Sequence, residues 1–165
     1  MNVAEYSACV DKYLKMVYRI SFHYFGNRED AEDVSQDVFM KLLSSDIEAS
    51  DDEKIKAWLI RVTTNTCHSH FRSPFRRKRV DMEDSDYENI VDISSSEQEI
   101  IRRKTVFDAV MSLPEHYRII VYLFYYEEYS THQISKILEI KETTIQTRLS
   151  RAREKLRNIL ADSFP

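Results

Sequence analysis

A single glycine, Gly26, stands in 165 residues, and only three prolines accompany it. Average chains carry glycine at about 7%. Inside a helix, glycine and proline are roughly 1 and 3 kcal/mol less favourable than alanine. A chain that nearly omits both, and is rich in Leu, Ile, Lys, Glu and Arg, is predicted to be all-α. Apolar residues make up 42% of it, enough for packed cores, and the length suits one domain or two small ones. No apolar run approaches the ~18 residues that a membrane span needs, and no signal-peptide pattern opens the chain. The expected protein is soluble and cytoplasmic, with no membrane insertion.

The few interruptions divide the chain. A first helix is predicted from about Val3 to Phe25, with Val10, Leu14, Val17 and Ser21 along one face, and Gly26 stops it. Asn27 caps a second helix, with Glu29 and Asp30 in its first turn. There Ala31, Val34, Val38 and Leu42 turn inward while Glu29, Asp33, Gln36, Asp37 and Met40 face out. A polar loop is expected over Ser44 to Glu53. A third helix runs from about Lys54 to Arg72, with Ile55, Leu59, Val62 and Thr66 or Cys67 inward and Trp58 in the core. Ser73-Pro74 ends it, since the residue before proline avoids helix.

Residues 80–96 carry acids, serines and little apolar content, the composition of a flexible linker. A second unit begins near Glu97, with Ile101, Val106, Val110 and Leu113 apolar. Ser112-Leu113-Pro114-Glu115 reads as a helix break and restart. Ile120, Val121, Leu123 and Phe124 mark the core of this unit. The expected fold is two small helical domains, 1–80 and 98–165, joined by a flexible acidic linker at 81–97.

The C-terminal segment reads as a helix-turn-helix. Ser130 and Gln133 have the spacing of a capping box, and a short helix runs to about Leu138. A turn follows, and a second helix starts near Glu142. In it Ile145, Leu149, Ala152 and Leu156 recur on one face. Thr143, Thr144, Gln146, Thr147, Arg148, Ser150 and Arg151 are the candidates for the other side, flanked by Arg153. Hydroxyls, an amide and arginines suit a helix that enters a major groove. The plainer reading is a solvated face on a packed helix.

Net charge is −4, which argues against nucleic-acid binding until it is mapped along the chain. Arg28 to Glu53 holds ten acids and two bases, and Arg61 to Arg79 six bases, two histidines and no acid. Asp81 to Glu99 holds eight acids and no base, and Lys141 to Arg157 six bases and two acids. Alternating blocks mark distinct partner surfaces. The acidic blocks should weaken unaided DNA binding, which depends on phosphate attraction.

Cys67-His68-Ser69-His70 places one thiol near two imidazoles, but no fourth ligand is evident for a closed zinc site. Reduced, half-buried thiols are the expectation for Cys9 and Cys67. No nucleophile–base pair or phosphate loop is present, so neither enzymatic chemistry nor a metal or other cofactor is expected.

These segments together resemble the extracytoplasmic-function (group IV) sigma factors of the bacterial sigma-70 family, over roughly Tyr13 to Leu160. Gly26-Asn-Arg-Glu-Asp-Ala-Glu-Asp-Val-Ser-Gln-Asp-Val-Phe39 resembles region 2.2, and Ala57-Trp-Leu-Ile-Arg-Val-Thr-Thr-Asn-Thr-Cys-His-Ser-His-Phe-Arg72 regions 2.3 and 2.4. Ser112-Leu-Pro-Glu-His-Tyr-Arg118 resembles the start of region 4, and the helix-turn-helix resembles region 4.2. The resemblance implies promoter-specific initiation with two partners, core RNA polymerase and promoter DNA. It places Asp30, Asp33, Gln36, Asp37 and Phe39 at or behind the contact with the clamp coiled coil of polymerase. It implies −10 strand contacts for Arg61, Asn65, His68, Phe71, Arg72, Arg76 and Arg77, with Phe75 available for stacking. Region 4 would read a −35 element in duplex DNA.

Anti-sigma factors are common partners in the family; no residue here encodes one, though the linker and the apolar surfaces could accept one. Ser69 departs from the family's usual Asp, and Glu139 and Thr143 stand where Gly is common. The turn at Glu139 must then use an ordinary backbone geometry or accept strain. The acidic loop Ser45 to Glu53, which captures a base in the family, leaves base preference open. The competing readings are a helix-turn-helix regulator that dimerises on an operator, and a module that only sequesters a partner.

Overall fold

The computed structural model describes residues 1–72 and 96–163. Among them are seven helices and no strand, so the chain is all-α. Contacts divide the chain into two compact units, Met1–Val80 and Asp81–Pro165. The linker expected at 81–97, like Ser73-Pro74, Phe75, Arg76 and Arg77, falls almost wholly outside the described residues.

The first unit packs α1 (Val3–Phe25), α2 (Arg28–Leu43) and α3 (Asp52–Phe71) against one another. A capping box starts α1: Asn2 Oδ1 accepts the Glu5 amide at 2.8 Å, and the Glu5 carboxylate accepts the Asn2 amide at 2.8 Å. Gly26 ends it at φ 77°, ψ 12°, a left-handed geometry that costs glycine least. Asn27 then accepts the Asp30 amide at 2.9 Å and opens α2. On α2, Ala31, Val34, Val38 and Leu42 are fully buried, as their spacing predicts.

Two expectations for this unit are corrected. The buried stripe of α1 is Cys9, Tyr13, Met16, Val17 and Ile20, while Leu14 is 46% exposed and Val10 half-buried. The aliphatic residues mislead here because Tyr13 buries its ring and still satisfies its hydroxyl, which donates to the Asp52 carboxylate. The acids 51–53 are not loop. Asp51 caps α3 by accepting the Lys54 amide at 3.1 Å, and Asp52 and Glu53 sit in the first turn, where carboxylates oppose the positive helix end. Asp52 also accepts from Lys12 Nζ at 2.6 Å, joining α1 to α3. The Lys12 and Tyr13 hydrogen bonds hold its carboxyl below the usual aspartate value.

Trp58 is half-buried rather than core, and so is Val62. Buried Thr63 takes the inward place, its hydroxyl satisfied by the Leu59 carbonyl one turn back.

The second unit comprises α4 (Glu97–Met111), α5 (Glu115–Tyr125), α6 (Thr131–Leu138) and α7 (Glu142–Leu160). Its core gathers Val110, Leu113, Tyr117, Val121 and Ala152, with Val106 and Leu156 packed against them. Ile120 and Leu123 of α5 are fully buried, and buried Arg118 donates from Nε to the Leu113 carbonyl at 2.8 Å. Ile101 is 59% exposed.

The capping box of α6 is present: the Ser130 hydroxyl accepts the Gln133 amide at 3.1 Å, and Gln133 Oε1 accepts the Ser130 amide at 2.9 Å. The turn resolves the question of strain, because Glu139 adopts φ 57°, ψ 42° without being glycine. Side chains carrying a Cβ avoid this region at a cost of roughly 1–2 kcal/mol. The Ile140 amide donates to the Ser135 carbonyl at 3.2 Å, and the Ser135 hydroxyl donates to the Ile140 carbonyl at 2.6 Å, so the turn is held from both sides. Glu139→Gly should therefore raise stability by about 0.5–1 kcal/mol, and Glu139→Val should lower it by more than about 1 kcal/mol. Urea denaturation of the two variants checks this; equal stabilities would show that the turn is unstrained.

Candidate nucleic-acid and protein interfaces

The outer face of α2 carries Asp33, Gln36 and Asp37, all exposed, with Met40 62% and Leu43 64% exposed at its end. Asp30 and Phe39 lie behind this face, each 5% exposed. Asp30 is the third residue of α2. One carboxylate oxygen accepts from Asn27 Nδ2 at 2.8 Å, and the other lies 3.3 Å from His70 Nε2 at the end of α3. Phe39 packs inward while its carbonyl accepts from the Tyr6 hydroxyl at 3.1 Å. Beside this face an apolar groove of about 420 Å³ runs between α1 and α2, lined by Leu14, Lys15, Tyr18, Glu32, Gln36 and Phe39. The sequence pattern grouped Leu14 on one face with Val10, Val17 and Ser21 and did not single out Tyr18. Its one available signal was that two adjacent faces of α1 are apolar.

On α3, Arg61, Asn65, His68 and Arg72 recur four, three and four residues apart, so they form one stripe. Asn65, His68 and Arg72 are exposed and Arg61 is half-buried. His68 Nδ1 lies 3.3 Å from the Tyr24 hydroxyl, which fixes the ring. Phe71 is half-buried among the aromatic residues that end α1, edge-on to Tyr24 at 5.7 Å and stacked on Phe25 at 6.2 Å. Its ring is therefore part of the packing as well as a candidate base contact. Arg76 and Arg77 lie outside the described residues.

In the second unit Ile145, Leu149 and Ala152 seat α7 on its neighbours, each at most 3% exposed. That leaves Thr143, Gln146, Thr147, Ser150 and Arg151 exposed on the far side, with Thr144 and Arg148 half-buried at its edge. Glu142, first in α7, accepts from the Thr131 hydroxyl at 3.2 Å and lies 3.2 Å from His132 Nδ1, which ties the start of α7 to the start of α6. The Thr147 hydroxyl donates to the Thr143 carbonyl at 2.9 Å, so its lone pairs and methyl group are what it can offer a base. Arg153 belongs to the packing instead: its Nε donates to the Tyr125 hydroxyl at 2.7 Å, and its guanidinium lies 5.0 Å over the Phe124 ring. A shallow groove of about 380 Å³ separates the start of α5 from α7.

Family models match both units: Sigma-70 region 2 over residues 9–78, and Sigma-70 region 4 over residues 103–156. The ECF RNA polymerase sigma factor SigM of Bacillus subtilis is 31% identical over 150 residues, covering 88% of each chain. The chain belongs to the ECF sigma factors of the sigma-70 family. SigW of the same organism is 28% identical over 163 residues, covering 93% of this chain and 87% of that one. The fold is shared with the sigma factor RpoE solved in complex with the anti-sigma factor NepR from Bartonella quintana. That match has a TM-score of 0.74 at 20% identity and covers 96% of this chain and 98% of that one. As an ECF sigma factor, the protein binds core RNA polymerase and directs it to promoters. No helix among the described residues is long and apolar enough to cross a membrane.

The Cys67-His68-His70 cluster does not assemble. In this sigma factor Cys67 is fully buried with its thiol directed to the Ser21 hydroxyl, while His68 is exposed and His70 turns to Asp30. Both cysteines are free and more deeply buried than expected. Among the described residues, the grouping with ligand atoms within 4.8 Å is Asp30, Asp33 and His70, and it excludes Cys67. Burial pushes the Cys67 thiol up to about 12. Thiolate is the reactive form, so at pH 8 a thiol reagent should label Cys67 only after denaturation. Rapid labelling of Cys67 in native protein would contradict its placement.

Proposed function

We propose that the two units divide the work of initiation. In the first, residues 1–80, the acidic face of α2 meets the clamp coiled coil of core polymerase through Asp33, Gln36 and Asp37. Asp30 and Phe39 support that face from behind, and the apolar groove beside it receives part of the same contact. Acids that meet a basic coiled coil set register and partner choice. The stripe Arg61, Asn65, His68 and Arg72, with Phe71, Arg76 and Arg77, holds the opened −10 strand, arginines on phosphates and rings on bases. The second unit, residues 98–165, reads the −35 duplex through Thr143, Thr144, Gln146, Thr147, Arg148, Ser150 and Arg151. Residues 81–97 link the two.

The observation that carries this reading is where the exposed polar residues fall. They occupy the outer sides of α2, α3 and α7, on the segments that resemble the docking, −10 and −35 regions of the family. The protein supplies binding energy and leaves phosphoryl chemistry to polymerase, in the cytoplasm where polymerase works. Trapping an unpaired base offsets an unstacking cost of a few kcal/mol. An anti-sigma partner would act by covering these surfaces. Leu14 on α1, Tyr125 at the end of α5 and Tyr126 just after it, 46–60% exposed, offer it apolar area.

Docking is tested by Asp33→Lys with Asp37→Lys. Both side chains are exposed, so helix content and thermal stability should hold while affinity for core polymerase falls at least about tenfold in competition with a second sigma factor. Unchanged affinity would remove the α2 face from the contact.

A further inference from the structure

The shallow groove beside α7 contains a residue that the recognition helix does not supply. His116, second in α5, lines it together with Tyr117, Thr143, Thr147, Arg148 and Arg151. The imidazole is exposed and stands edge-on to the buried Tyr117 ring with centroids 4.5 Å apart. Arg148 is close enough for its charge to act on the ring, and Arg151 lines the same space. One carboxylate, Glu115, opposes them. Two arginines and an imidazole line one open space, and no carboxylate is among the described residues that line it.

We propose that this groove seats one backbone phosphate of the −35 duplex, gripped by Arg148 and by His116 in its protonated form. The proposal rests on the reading of α7 as the −35 helix. It adds a contact from outside the helix-turn-helix, on the element that carries the core of the unit.

In the free protein His116 is held below its ordinary value of 6.5, first by partial desolvation and then by the Arg148 charge. It is therefore neutral near pH 7. A phosphate in the groove reverses the balance, since an anion favours the charged ring. Binding then takes up one proton. The sign follows from linkage: the complex binds more protons than the free protein, so affinity rises as pH falls. The gain is complete below the free value and vanishes above the bound one. A rise of one pH unit in the bound value caps the total gain in affinity at about tenfold, and the part of it above the free value falls between pH 8 and pH 6.

The test uses holoenzyme reconstituted with the full chain, on a promoter it transcribes and on the same promoter truncated just downstream of its −35 element, since a phosphate contact would also form on a scrambled sequence. The affinity ratio of the two DNAs is measured from pH 8 to pH 6 for wild type, His116→Ala, His116→Lys and Arg151→Ala. Taking the ratio cancels protonation elsewhere in polymerase and at the −10 contacts. The wild-type ratio is expected to rise on acidification, by less than about tenfold for a one-unit shift. His116→Ala should hold it flat at the pH 8 level, and His116→Lys should hold it flat at the pH 6 level. At pH 6 His116→Ala should also lower the salt slope by about one, the mark of one lost phosphate contact. A wild-type pH profile matched by His116→Ala overturns the proposal while leaving α7 as the −35 helix. A ratio near one for wild type, unchanged in Arg151→Ala, overturns the reading of α7 and the proposal with it.

Discussion

The first unit turns on a corner of four residues. Gly26 takes the left-handed turn, Asn27 caps α2, and Asp30 is buried behind the cap with both oxygens engaged, one by Asn27 and one by His70. A buried carboxylate is tolerated only when it is paired or hydrogen-bonded. Here the pairing joins the start of α2 to the end of α3, and Phe25 closes the corner edge-on to His70 at 5.4 Å. The angle of this corner decides which side of α2 faces out. It also fixes the end of the α3 stripe against the last turn of α1. Both proposed interfaces of the unit are thus aimed by the same contacts.

The second unit achieves its corner differently. With no glycine available, the turn between α6 and α7 places Glu139 in the left-handed region and holds it with the Ser135–Ile140 exchange. Glu142 then fastens α7 to the first turn of α6. The outer side of the helix mounted in this way carries hydroxyls, an amide and arginines. Arg153 is withdrawn from that side by Tyr125 and Phe124, so a basic residue in the sequence is not by itself a DNA contact.

Much of the architecture was legible because the signals were local. Capping residues Asn27 and Ser130, the stop at Gly26, and the α2 spacing Ala31, Val34, Val38, Leu42 each specify their own neighbourhood. What escaped depended on partners distant in sequence. Tyr13 is buried because Asp52, thirty-nine residues away, receives its hydroxyl, and this rotates α1 so that Leu14 is exposed. Trp58 is half-buried while Thr63, a polar residue, is buried with its hydroxyl satisfied inside the helix. Asp51, Asp52 and Glu53 read as loop by charge, although charge at that place is also what a helix start favours. His116 could not be singled out, since nothing in its own segment indicates that Arg148 faces it.

The central claim is that the outer side of α7 selects promoters for a polymerase held by the other unit. The most direct measurement is run-off transcription by reconstituted holoenzyme on promoters carrying every single −35 substitution, for wild type, Thr147→Ala and Arg151→Ala. The account predicts that Thr147→Ala changes which base is preferred at one position, with a discrimination of about 1–3 kcal/mol lost there. Arg151→Ala should lower yield on all promoters alike if it holds phosphate, or relax one position if it reaches a base edge. Identical preference profiles and identical yields for the three proteins would contradict the account.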